Sequence, residues 1–183
     1  MAKSKLITVT QLKKELKELS KEELITLISE LSKSSSQAKE FLSIRFASPE
    51  SEKEIQEQYK QKIEHEFYPK RGYGRLNLRA AKKAISDFKK VSSNKVLEID
   101  LMLFYVENGV SFTRDYGDIN ENFYSSMEGM FYDIVEVINS SDEEIYEMFA
   151  GRLKRVVEKS IDGWGFQDTL GEYYYMLKWV DEV

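Results

Sequence analysis

The stretch Asn94-Lys95-Val96-Leu97-Glu98-Ile99-Asp100-Leu101-Met102-Leu103-Phe104-Tyr105-Val106, running on to Gly117, decides the fold. Val96 to Val106 is the densest apolar run in the chain, broken only by Glu98 and Asp100. It falls short of the ~18 residues that a membrane-spanning helix requires. A helix that is apolar nearly all round belongs in the middle of a soluble fold. Asn94 is the predicted cap at its start, and Gly117 ends it. Asp100, set among apolar neighbours, is expected to pair with an Arg or to cap backbone rather than to act as a general acid.

Working outward, apolar residues recur at three- and four-residue spacing almost everywhere, and period-two alternation is scarce. Toward the amino end the pattern predicts four helices. The first carries Leu12, Leu16 and Leu19. Ser20 with Glu23 forms a capping box that opens a second, with Leu24, Leu27, Ile28 and Leu31 on its apolar side. A third spans about 37–46. The fourth, to about Phe67, shows only a narrow stripe of Ile55, Tyr59 and Ile63 amid charge and is expected on the outside. Pro69, Gly72 and Gly74 then break the pattern.

The fifth helix buries Leu78, Ala81, Ile85 and Phe88. Beyond Gly117, Asp118 with Glu121 and Ser141 with Glu144 read as capping-box starts of the seventh and eighth helices. A last helix follows Asp162-Gly163-Trp164-Gly165 and presents Leu170, Tyr173, Tyr174, Leu177 and Val180. The fold class is therefore all-α, with about nine helices packed as antiparallel hairpins, in a globular bundle or a short α-α stack. Residues 1–183 read as a single helical domain. A candidate hinge at 69–75 separates an amino-terminal portion, 1–68, from the main helical core, 76–183.

Charge is distributed unevenly. Residues 69–90 hold eight Lys or Arg and one acid, Asp87, whereas residues 98–148 hold thirteen acids and one base, Arg114. These regions either neutralise one another inside the fold or leave a positive patch free for an anion. Lys70, Arg71, Arg75, Arg79, Lys82 and Lys83 are the candidate anion-binding residues, with phosphate or nucleic acid as the implied ligand. A pI near 5.2 argues against bulk nucleic-acid binding.

Cysteine is absent, which excludes disulfides and thiolate chemistry and suits a reducing cytoplasm. The start of the sequence lacks the apolar region of a signal peptide. His65 is the only histidine, and its flanks Glu64 and Glu66 predict a solvent-facing residue. Among the carboxylates, Glu121 and Glu128 share a helix face, yet no calcium-loop or di-iron pattern accompanies them, so neither a metal nor a cofactor is expected. Trp164 and Phe166 sit in a glycine-flanked joint, where they either line a groove or wedge into the core. With Tyr175 and Trp179 of the last helix they form the candidate partner-binding set.

Three strings taken in order resemble a known family: Asp100-Leu101-Met102-Leu103-Phe104-Tyr105-Val106-Glu107; Tyr116-Gly117-Asp118-Ile119 with Phe123-Tyr124-Ser125-Ser126-Met127-Glu128; and Gly163-Trp164-Gly165-Phe166-Gln167-Asp168. The resemblance is to a bacterial family of small, cytosolic, predominantly helical proteins classed as a domain of unknown function. It covers nearly the whole chain and implies no particular reaction. The leading functional expectation is a non-enzymatic cytoplasmic scaffold that binds another protein or itself. An anion or nucleic-acid module using residues 70–83 is the alternative, and a carboxylate-based metal enzyme around Asp100, Asp118 and Glu128 ranks last.

Overall fold

Ile99, Leu101, Leu103, Tyr105 and Val106 are wholly excluded from solvent in the computed structural model, which describes residues 6–48, 50–69, 76–161 and 163–180. They belong to α6 (Lys95–Tyr116), whose amino end is capped by the Asn94 carboxamide oxygen accepting from Val96 and Leu97. Four helices close around it: α4 (Ser51–Phe67), α5 (Leu78–Val91), α7 (Glu121–Asn139) and α8 (Glu143–Lys159). Then α9 (Phe166–Tyr175) lies against α7 and α8. With α1 (Val9–Lys17), α2 (Lys21–Ser34) and α3 (Ser36–Phe46) this makes nine helices among the described residues, and no strand. The body is globular around one central helix, because half of the residues of α6 are buried and its apolar faces from Leu97 to Val110 need cover on several sides.

Several local expectations are corrected. Helix α4 is not peripheral: Ile55, Tyr59, Ile63 and Phe67 are buried between α5 and α6, and only its charged face looks outward. A narrow stripe suffices because each of its members is large. Tyr59 packs edge-on against Phe88, and Phe67 against Tyr105, both with centroids 5.6 Å apart. The cap of α7 is Asn120, whose side chain accepts from the Phe123 amide at 3.0 Å, and not Asp118. Ser141 does not cap α8, since its hydroxyl donates to the Val137 carbonyl at 2.7 Å. Helix α9 stops at Tyr175. Leu177 is still buried, from a turn that Asn139 holds by donating to the Met176 carbonyl at 2.9 Å and accepting from the Lys178 amide at 3.1 Å.

The candidate hinge falls at residues that, apart from Pro69, lie outside the described set. On its two sides, α4 and α5 share one core and pack directly on each other. Helices α6 and α7 approach closely where Gly109 leaves room: a Cβ there would come within 2.2 Å of the Met127 sulfur. No described helix is long and apolar enough to cross a membrane.

Candidate functional site

The amino-terminal arm is the most unusual surface. Helices α1, α2 and α3 contain no buried residue. Their ends are nevertheless well made. Thr8 and Gln11 form a reciprocal capping box, with Thr8 N to Gln11 Oε1 at 3.0 Å and Gln11 N to Thr8 Oγ1 at 3.3 Å. Ser20 and Glu23 repeat it at 2.7 and 3.2 Å. Local capping thus shapes α1 and α2, which no core supports.

Helix α2 packs substantially only against α3, and α3 connects the arm to α4 and α5. There Ile44 reaches the core, and the Tyr59 hydroxyl donates to Glu40 at 2.6 Å. Ten of the sixteen exposed large apolar side chains of the described chain lie in residues 6–48, including Ile25 at 55%, Ile28 at 48% and Leu31 at 53%. Periodicity correctly places Leu24, Leu27, Ile28 and Leu31 on one side of α2. It does not reveal that this side lacks a cover, because a stripe facing a core and one facing a partner have the same spacing.

The basic segment resolves differently. Lys70, Arg71 and Arg75 lie outside the described residues. Arg79, Lys82 and Lys83 are exposed on α5. Lys83 and Lys90 pair with Asp87 of their own helix, and Lys89 reaches Glu98 at 2.8 Å. That last bridge is the only one among the described residues that joins the basic segment to the acidic one. Arg79 and Lys82 meet no carboxylate among the described residues. Instead they border a cleft of about 450 Å³ whose other wall is Asn122, Ser125 and Ser126 of α7.

The acids of α6 take their cations from elsewhere. Asp100 receives Lys60 Nζ at 2.6 Å, Gln56 Nε2 at 2.8 Å and the Arg152 guanidinium, which also grips Glu107 with Nε and NH2 at 2.8 and 2.6 Å. Burial works to raise the Asp100 pKa, but the hydrogen bonds and charges of Lys60 and Arg152 outweigh it and leave the carboxyl below its ordinary value. Asp100 therefore pairs with an Arg, as its sequence setting suggests. A carboxylate so fully satisfied is a poor general acid.

Asp118 serves the turn before α9. Tyr124 Oη donates to its Oδ1 at 2.7 Å and Trp164 Nε1 to its Oδ2 at 3.0 Å, and these bonds lower its pKa. Burial, then Asp118, push the Tyr124 hydroxyl up to about 12. Trp164 has a left-handed backbone, φ 55°, with its ring 65% exposed. Phe166 is wholly buried, 5.0 Å from Tyr124 between centroids. It anchors the core and offers no contact surface, so the wedge is the arrangement found at this joint. Tyr175 is half exposed, whereas Trp179 stacks on Tyr146 at 5.5 Å. These aromatics do not merge with the arm into one described pocket. No trio of His, Cys, Asp or Glu among the described residues is placed to hold a metal ion, and His65 is exposed.

Fold and surfaces together define an all-α protein built around one saturated helix, carrying an apolar arm and a cation-edged cleft. Residues 7–171 match DUF6155, a family of unknown function, and the chain belongs to that family. No curated protein and no solved structure matches it significantly.

Proposed function

We propose that this protein is a non-enzymatic binding module that recognises another protein through its amino-terminal arm, in the cytoplasmic setting that a cysteine-free chain suits. One observation carries the reading: three successive helices hold no fully buried residue, and residues 6–48 display ten of the sixteen exposed large apolar side chains of the described chain. Helices of nine to fourteen residues gain little stability alone, and an apolar face left in water favours association. The charge on residues 6–48 is balanced, seven Lys or Arg against six Glu, which suits an apolar protein strip with a mixed rim and gives little attraction for phosphates. The complementary ligand is an amphipathic helix.

The test is photocrosslinking in the native cell from a benzophenone side chain at Leu27, with Lys154 on α8 as the control position. A discrete adduct from position 27 that position 154 does not give supports the reading. Equal or absent adducts at both positions overturn it. An adduct of twice the chain mass identifies a second copy as the partner, and any other mass a different protein.

A further inference from the structure

We infer that the cleft between α5 and α7 is a binding site for a compact phosphorylated ligand, independent of the arm. Its cationic edge is Arg79 and Lys82, one helical turn apart on α5 and both exposed. Neither forms an ion pair with any described carboxylate, whereas their neighbours Lys83 and Lys90 are engaged by Asp87 and Lys89 by Glu98. In a chain with net charge −5, two adjacent cations without acidic partners stand out from the surface pattern.

The facing wall offers hydrogen-bond donors and no acid. Asn122 contributes a carboxamide, and Ser125 and Ser126 contribute hydroxyls. The Ser126 oxygen is fixed by the Tyr105 hydroxyl at 2.9 Å, and that phenol stays protonated because burial pushes it up to about 12. Either hydroxyl can donate in that bond, and Ser125 is exposed beside it. Guanidinium, ammonium, amide and hydroxyl groups around one space match the several oxygens of a phosphoryl group. The small side chains on α7 and Leu78 of α5 leave a shallow, open depression of about 450 Å³, which has room for a small phosphorylated molecule. The sequence pointed to Arg79 and Lys82 by charge alone. Only the packing of α7 on this side brings the neutral donors to them.

The experiment is a two-dimensional amide NMR titration of the full chain at low salt, with inorganic phosphate, pyrophosphate, a nucleoside monophosphate and a twelve-nucleotide single strand as separate probes. The expected result is saturable shifts at residues 78–83 and 122–126 with pyrophosphate or the monophosphate. Arg79→Gln and Lys82→Gln should each weaken them about tenfold, as loss of a charged hydrogen bond implies. Ser125→Asp should abolish them, and Lys90→Gln should leave them unchanged. All these side chains are exposed or border the cleft, so a folded spectrum is expected for every variant. Absence of saturable shifts with the small probes overturns the proposal, as does binding indifferent to Arg79→Gln and Lys82→Gln. Binding of the single strand alone also overturns it, since that assigns the cations to an extended backbone.

Discussion

Arg152 of α8 grips Glu107 of α6 with two parallel hydrogen bonds, Nε to Oε1 at 2.8 Å and NH2 to Oε2 at 2.6 Å, while its remaining amine holds Asp100. One guanidinium therefore joins two carboxylates a helical repeat of seven apart and locks α8 onto the central helix. Removing it leaves both acids in a partly desolvated position with only Lys60 and Gln56 to satisfy Asp100. Arg152→Ala is expected to cost about 2–3 kcal/mol, less than the ~3–5 for a fully buried pair because the side chain is 24% exposed. Arg152→Lys should recover only part of this, since an ammonium cannot reproduce the fork. Urea unfolding of the three proteins measures it. Equal stability of wild type and Arg152→Ala would show that the network contributes nothing net.

The same network sets an acid limb. The Asp100 pKa in the folded chain lies below its ordinary value of 3.8. A depressed carboxyl adds stability that is fully present above the unfolded pKa and is lost as pH falls through the folded one. The stability difference between wild type and Asp100→Asn should accordingly be constant from neutrality to about pH 5 and shrink below about pH 4. A difference that stays level down to pH 2 contradicts the assignment.

Close approach of α6 and α7 depends on Gly109. Gly109→Ala drives a methyl into Met127, with an unrelaxed separation of 2.2 Å from its sulfur, and is expected to cost about 1–3 kcal/mol. Methionine can swing away, so the cost is moderate. Pairing the change with Met127→Ala should make the combined loss smaller than the sum of the two single losses, by thermal unfolding. Additive losses would mean that the two sites do not touch.

At Trp164 two effects oppose each other. Its left-handed backbone costs about 1 kcal/mol for a residue with a Cβ, and its indole bond to Asp118 at the surface offsets part of that. Trp164→Phe keeps the strain and loses the bond, so it should be measurably less stable than wild type. Trp164→Gly relieves the strain as it loses the bond and should be nearly neutral. Phe166→Ala next door, which empties a fully buried site, should cost about 3–5 kcal/mol. If Trp164→Gly proves as harmful as Phe166→Ala, the exposed ring has a packing role that its position does not suggest.

The arm should be separable from the body in stability though not in binding. Leu27→Ser with Leu31→Ser is expected to change unfolding free energy by no more than about 0.5 kcal/mol, as for other exposed positions, while removing the adduct from a crosslinker at Ile28. A large loss of stability would instead place these leucines in the folding core.

Much of the architecture was legible because it is local. Ser20 with Glu23 and Asn94 before Val96 announce helix starts through side chains that reach only two or three residues along the chain. Asp118 with Glu121 gave a false signal because the same short carboxylate accepts from Tyr124 and from the distant Trp164, and Asn120 took over the cap. Asp100 was recognisable as a carboxylate that pairs with an Arg or caps backbone. Which Arg supplies it depends on the path of α8.

The amino-acid sequence by itself determined that this chain is helical and that Leu101 to Val106 lie at its centre, since helical period and apolar content are properties of neighbouring residues. Only the tertiary structure decided which apolar stripes are covered, and which charges are spent. It left α2 without a lid, gave Lys89 to Glu98 and Arg152 to Asp100, and set Arg79 and Lys82 opposite serines. Covering a stripe and pairing a charge are relations between segments distant in the chain, and spacing along one helix carries no information about what stands across from it.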